Sequence, residues 1–165
     1  MNILETLIDY NYSEHRDLWK ILAALDEELF LRDAGYSLGS IQREVIHIIR
    51  ADHLWFSRAI GETDPELLPY ETTDRKAIRA AWDNLEKTIR EYIANTDEAR
   101  LNETMTYLNA SNQTVARKRW EMLLHLCNHG SVHRAEICAM LHMLGHTVDF
   151  EVTLRGFLEK RDLRK

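Results

Sequence analysis

The stretch Ser40-Ile-Gln-Arg-Glu-Val-Ile-His-Ile-Ile-Arg-Ala-Asp-His-Leu-Trp-Phe-Ser-Arg-Ala-Ile-Gly61 decides the fold class. Apolar residues recur at Ile41, Val45, Ile48, Ile49, Leu54, Trp55 and Ile60, the three-or-four spacing that gives a helix one buried stripe. Ser40 can cap an orphaned backbone N–H at its start, and Gly61 can turn left-handed at its end without steric cost. Upstream, Leu4, Leu7, Ile8, Leu18, Ile21, Leu22, Leu25 and Leu29 repeat the pattern and predict a first helix from Ile3 to about Leu31. The glycine-bearing segment from Arg32 to Ser40 separates the two. Downstream, a loop from Gly61 to Thr73 holds both prolines. A third helix is expected from about Asp74 to Ala94, on the stripe Ile78, Ala81, Trp82, Leu85, Ile89, Tyr92 and Ile93. Asn102 to Asn109 alternates and is rich in β-branched residues, which suits an extended segment or short hairpin before Asn112. The longest helix is expected from about Thr114 to Leu144, closed by Gly145, with a short final helix from about Leu154 to Lys160. Four amphipathic helices bury four stripes most economically by packing together, so the expectation is an all-α fold, a four-helix bundle with a short C-terminal helix, in one domain over residues 1–165. The long connections leave room for crossovers, and simple up-down topology is not forced.

Composition agrees with this reading. With 165 residues, 45% of them hydrophobic and 29% charged, and with only 6 Gly and 2 Pro, the chain has the balance of a compact soluble protein. Its net charge of −6 argues against non-specific attraction to nucleic acid or an anionic membrane. The two basic clusters, Arg117-Lys118-Arg119 and Lys160 to Lys165, read as solvated faces and helix-end charge. Cys127 and Cys138 fall on one expected helix, too far apart for a disulfide. The amino terminus lacks a basic region followed by an apolar core, and no apolar run is long enough to span a membrane. The expected compartment is the cytoplasm.

The histidines carry the chemical signal. Eight occur, at positions 15, 47, 53, 125, 129, 133, 142 and 146. Three pairs stand four residues apart, His125 with His129, His129 with His133, and His142 with His146, more than chance placement gives. On a helix such a pair shares one face, with Cβ atoms ~5–6 Å apart, so two imidazole nitrogens can reach one metal ion. His125 and His133 are two turns apart, ~12 Å of rise, and cannot share an ion. Since metals of the zinc and nickel type take at least three protein ligands, another helix must supply the third. His47 lies in a strongly apolar stretch, where an imidazole without a partner is costly to bury. His53, after Asp52, is its competitor. His15, His53, His142 and His146 otherwise read as helix-surface or helix-end histidines.

Taken together, Tyr10-Asn-Tyr12 with Trp19, the segment Tyr36-Ser-Leu-Gly-Ser-Ile41, His47-Ile-Ile-Arg-Ala-Asp-His-Leu-Trp55 and His125-Leu-Cys-Asn-His-Gly-Ser-Val-His-Arg-Ala-Glu136 resemble the DinB/YfiT family in order and spacing over nearly the whole chain. The resemblance implies a four-helix bundle with an up-up-down-down connection, commonly a homodimer, and one divalent metal ion held by three histidines. Carried onto this chain, the ligands are His47, His129 and His133, while His125 matches a position where the family often has a histidine that is not a ligand. The family motif usually ends His-Arg-Gly-Gln; here it reads His133-Arg-Ala-Glu. Glu136, seven residues past His129, should project from the same face, as a general base for metal-bound water, a fourth ligand, or a carboxylate that only supports the ligands.

Three neutral imidazoles leave an ion its full charge and an open coordination position, the mark of a catalytic rather than a structural metal. By resemblance the chain is similar to thiol S-transferases, in which the metal holds a low-molecular-weight thiol such as bacillithiol or mycothiol as a thiolate. It is also similar to hydrolases that activate water. Arg134, next to a ligand, can pair with a carboxylate on such a thiol or serve in a structural salt bridge. The remaining class is a non-enzymatic metal-binding or stress-response protein, in which the ion ties two helices together. Nickel, zinc, cobalt and iron all suit three histidines. A small-molecule substrate and a homodimer are expected, with neither nucleic acid nor membrane as partner.

Overall fold

The computed structural model describes residues 3–149 and 153–163, and helices dominate it. The opening stretch forms α3 (Ile41–Ile60), with the Ser40 side chain accepting from Arg43 N and Gly61 in the left-handed region at φ 88°. Both end signals act as their chemistry dictates. The other long helices are α1 (Ile3–Ala23), α4 (Arg75–Ala94) and α6 (Arg119–Met143); shorter ones are α2 (Glu27–Leu31), α5 (Glu98–Leu101) and α7 (Leu154–Asp162).

The four long helices pack in a ring, α1 against α6, α6 against α3, α3 against α4, and α4 back against α1. Residue pairings fix their directions. Glu44, His47 and Trp55 of α3 meet His133, His129 and His125 of α6 in reverse order, so these two are antiparallel. Asp9, Arg16 and Trp19 of α1 meet Arg90, Glu86 and Trp82 of α4, again antiparallel. Tyr10 and His15 of α1 meet Ser131 and Arg134 of α6 in the same order. The sense along the chain is therefore up-down-down-up, and the up-up-down-down order expected from the resemblance is corrected. The connection from α3 to α4 makes this possible: residues 61–74 return along the bundle, so α4 starts at the same end as α3. Two bonds hold that loop, as Gln42 Nε2 donates to the carbonyls of Tyr70 and Thr72, each at 2.7 Å.

Two helix boundaries differ from the sequence reading. The first helix breaks after Ala23, and α2 starts at Glu27. No glycine or proline stands at the break; instead the Arg75 guanidinium donates to the carbonyls of Ala23, Leu25 and Asp26, replacing the helical bonds those groups lose. The longest helix starts at Arg119 rather than Thr114. Thr114–Lys118 forms β2, paired antiparallel with β1 (Thr104–Leu108) from Thr104↔Lys118 to Leu108↔Thr114. The hairpin turns at Asn109, whose Oδ1 accepts from Ser111 N and Gln113 N. The α6 start is then capped by Glu121, which accepts from Lys118 N at 2.7 Å.

The core lies inside the ring, from Tyr12, Leu18 and Leu22 of α1 to Ile46 and Ile48 of α3, Trp82 and Ile89 of α4, and Leu126, Ile137 and Leu141 of α6. Among the described residues, no helix is long and apolar enough to cross a membrane. Both cysteines are free, as their spacing requires. Of the basic C-terminal cluster, Arg164 and Lys165 lie outside the described residues.

Candidate metal centre

The antiparallel contact of α3 with α6 brings the predicted histidines together. One ring nitrogen from each of His47, His129 and His133 lies within 4.8 Å of the others. Ring centroids are 4.9 Å apart for His47 and His129, 4.6 Å for His47 and His133, and 4.2 Å for His129 and His133. The competitor His53, six residues beyond His47, is outside this cluster and lines a cleft on the α4 side of α3 instead. His125 stacks on Trp55 at 4.3 Å and stands 5.9 Å from His129, one turn removed from the cluster as helical geometry requires.

Partners on the far ring nitrogens orient two of the three. His47 Nδ1 meets the Tyr70 hydroxyl at 3.0 Å. His133 Nδ1 meets Glu44 Oε1 at 2.5 Å and Glu136 Oε2 at 2.6 Å. In both rings Nε2 is the nitrogen left over, and a carboxylate or hydroxyl behind an imidazole is the usual support for a metal ligand, because it fixes the ring and raises its basicity. His129 differs: its Nδ1 is buried with no hydrogen-bond partner. A buried polar atom left unpaired is costly, and a bound ion that orders this ring is one way to offset that cost. The donor set therefore fits a divalent metal of the zinc, nickel, cobalt or iron type.

Electrostatics support the same reading. Burial, then the charges of His133, His47 and His125, drive His129 down to about 3. His47 is lowered by burial and by His133. Both are thus neutral near pH 7, the form that ligates. Burial alone would lower His133, but hydrogen bonding and charge from Glu44, with a further contribution from Glu136, raise it. Glu44 moves the opposite way: burial pushes it up, yet bonds from His133 and its neighbours leave it lowered. Two carboxylates on one imidazole face hold positive charge there, whether a proton or an ion.

Glu136 stands behind His133, where its Oε2 also accepts from the Ser37 hydroxyl at 3.2 Å. With Glu44 and His133 it makes a second group of three potential ligands. Because His133 Nδ1 is shared between these carboxylates, the group acts as a support for the histidine triad. Arg134, read from the sequence as a contact for a thiol's carboxylate, is placed elsewhere. It is fully buried between α6 and α1, donating to Asn11 Oδ1 at 2.6 Å and to Ser131 Oγ at 3.0 Å. Adjacency in sequence to His133 rotates it ~100° around the helix, away from the triad. His15 is also buried, stacked 4.4 Å from Trp82 and not on the helix surface expected for it.

A cleft of about 440 Å³ opens onto the triad, lined by His47 and His129 with Arg50, Trp55, Arg58, Tyr70 and Tyr107 among its walls. The sequence reading did not reach Glu44, Tyr70 or these arginines. Glu44 had a signal, an acid three residues before His47 on the helix face that carries Ile41, Val45 and Ile48. Tyr70 and Tyr107 had none, since a loop and a hairpin bring them in from outside the helical period.

The chain matches the DinB family over residues 1–159. It is also 26% identical over 146 residues, 85% of either chain, to Protein DinB of Bacillus subtilis (strain 168).

Proposed function

The chain belongs to the DinB family, and we propose that it is a metal-dependent enzyme that joins a low-molecular-weight thiol to a small electrophile. One observation carries this reading: the histidine cluster is open on one side, since two of its three members line a cleft wide enough for a small molecule. A structural metal is enclosed by its ligands, whereas a catalytic one keeps a free position. When bound, the ion would lower the pKa of a thiol in that position and hold it as a nucleophile.

The protein's own residues do the rest. His47, His129 and His133 would hold the ion without adding charge, leaving its attraction for an anionic sulfur undiminished. Trp55, Tyr70 and Tyr107 wall the cleft beside the open position. In the overall reaction the sulfur forms a bond to the electrophilic carbon, the leaving group departs with its bonding pair, and the thiol proton passes to solvent. The hydrolase alternative would call for a general base facing the open position. The Glu136 carboxylate is engaged with His133 Nδ1 and Ser37, which favours the transferase. Neither Cys127, pushed up to about 12 by burial, nor Cys138, raised by burial, is poised as an internal nucleophile.

The test is a titration of cobalt-substituted protein with 2-mercaptoethanol, followed in the visible spectrum. A new sulfur-to-cobalt charge-transfer band supports the reading. An unaltered spectrum at millimolar thiol, with chelation causing a large loss of stability, would instead indicate a closed ion that ties α3 to α6.

A further inference from the structure

We infer that the cleft selects an elongate, anionic thiol, with Arg50 and Arg58 as the residues that recognise its negative charge. The inference rests on the thiol-transferase reading and names the substrate class it leaves open. Along α3, Arg50 is three residues and Arg58 eleven residues beyond His47, ~4.5 Å and ~16 Å of helix rise. Both line the cleft, and none of its lining residues is an acid. In a chain of net charge −6, a wall that gathers two guanidinium groups and excludes carboxylates is a marked local reversal of sign.

Each guanidinium is fixed in place yet keeps donors to spare. Arg50 lies 4.4 Å from the Tyr70 ring centroid and gives one N–H to the Leu68 carbonyl at 2.7 Å. Arg58 lies between the rings of Trp55 and Tyr107, at 4.9 and 4.4 Å, and reaches the Leu108 carbonyl at 3.4 Å. Among the described residues neither forms an ion pair, and no contact of either goes unaccounted for. A guanidinium has five N–H donors in a rigid fork, so each retains several for a ligand. Stacking on aromatic rings holds the fork without neutralising it. Other arginines are committed by contrast: Arg16, Arg32, Arg79, Arg90 and Arg119 all pair with carboxylates.

The distances set the shape of the ligand. A sulfur at the triad leaves Arg50 within reach of a charge one or two bonds from the thiol-bearing carbon, while Arg58 can meet only a charge carried on a longer arm. A compact anionic thiol therefore engages Arg50, and an extended one engages both.

The experiment compares three probes on cobalt-loaded protein by their charge-transfer bands: 2-mercaptoethanol, mercaptosuccinate and glutathione. Ratios of affinity within one variant cancel any effect on metal loading. The parent should prefer each anionic thiol over 2-mercaptoethanol by about tenfold or more, the scale of a hydrogen bond to a charged group. Arg50→Gln should erase most of the mercaptosuccinate preference. Arg58→Gln should lower the glutathione preference and leave that for mercaptosuccinate within about twofold. No preference in the parent, or ratios unchanged in the matching variants, would overturn the proposal. Should Arg50→Gln fail to hold metal, Arg58→Gln decides, since its one backbone bond is long. If no thiol perturbs the cobalt spectrum, the transferase reading fails separately. The charge selection is then read by calorimetric titration of S-methylglutathione: Arg58-dependent binding sustains it, and absence of binding overturns it.

Discussion

Helix α6 presents a polar cluster on each of two faces, and each cluster contains a histidine. Towards α3 stand His129 and His133 with Glu44 and Glu136; towards α1 stand Arg134, His15, Asn11 and Ser131. The first cluster is half-buried, borders a cleft and contains a ring nitrogen without a partner. The second also holds unpartnered atoms, Asn11 Nδ2 and Arg134 Nε, but it is sealed. Arg134, His15 and Asn11 are each at most 1% exposed, and the guanidinium is bonded to both the carbonyl and the amide oxygen of Asn11 while lying over Tyr10. The contrast shows that the presence of a histidine does not by itself decide function here. What separates a site from a strut is whether binding capacity is left over on a surface that a ligand can reach.

The largest expected difference between the faces follows from His47→Ala. Structural zinc sites gain about 10–16 kcal/mol from roughly four ligands, about 2.5–4 kcal/mol each, so losing one of three should weaken metal binding by about a hundred- to a thousandfold. Stability of the metal-free protein should change little, because His47 borders the cleft. Elemental analysis after purification without added metal, with thermal melts in chelator, checks both halves. Metal retained in full would dismantle the triad.

On the sealed face the ordering inverts. Gly130 faces α1, and a methyl group there would overlap Asn11 Oδ1 and crowd Arg134 Nη1 and the His15 ring. Gly130→Ala should therefore cost about 3 kcal/mol, as overpacking does when the neighbour cannot yield. Denaturant titration of the metal-free protein measures this loss. Metal affinity per folded molecule should be preserved; a protein that melts like the parent would show that the α1–α6 contact is softer than its hydrogen bonds imply.

Legibility from sequence divides along the same line. The α3 limits were readable because Ser40 and Gly61 act on their own helix, and the His129–His133 pair because helical period places one over the other, whereas the resemblance was needed to choose His47 over His53 as their partner. Of the two roles read for Arg134, the thiol contact fails because adjacency to a ligand in sequence means a different face in space. The break after Ala23 was hidden, since its cause is Arg75, some fifty residues away. The true start of α6 was hidden too, because Thr114–Lys118 becomes a strand only by pairing with β1. Glu44 was visible as an anomaly in an apolar stripe, but its partner His133 lies 89 residues on.

A third difference is the response to pH. Asp52, buried beside Tyr12 at 3.1 Å, is raised to about 8 by burial, against lowering by the Tyr12 hydrogen bond and Arg134. The folded state thus binds this proton more tightly than the unfolded chain does, where a carboxyl titrates near ~3.9. Stability associated with Asp52 is fully present below the unfolded value and is lost as pH rises towards 8. Asp52→Asn should remove that loss, with a gain that grows by up to about 1.4 kcal/mol for each pH unit between the unfolded and folded values and vanishes near pH 4. His15, lowered chiefly by burial and then by Arg134, acts in the other sense. It must stay neutral when folded, so its contribution falls as pH drops below the ordinary imidazole value. Melting curves of parent and Asp52→Asn from pH 4 to 9 test the first claim; parallel curves would mean that Asp52 is ionised in the fold.

The smallest effect belongs to Glu136, and it separates the ligands from what supports them. Removing a carboxylate behind a ligating imidazole costs about 10- to 100-fold in metal affinity. Glu136 shares His133 Nδ1 with Glu44, which is fully buried, whereas the Glu136 side chain is 24% exposed. Water can replace a partly exposed partner more readily than a buried one, so Glu136→Gln should fall at the lower bound, about tenfold, and Glu44→Gln nearer the upper. If Glu136 were instead the base of a hydrolase, its glutamine variant would retain metal and lose turnover. Competition against a chromophoric chelator therefore distinguishes the roles. An affinity drop with thiol binding preserved at saturating metal identifies Glu136 as the positioning residue its contacts describe, and an unchanged affinity removes it from the metal centre.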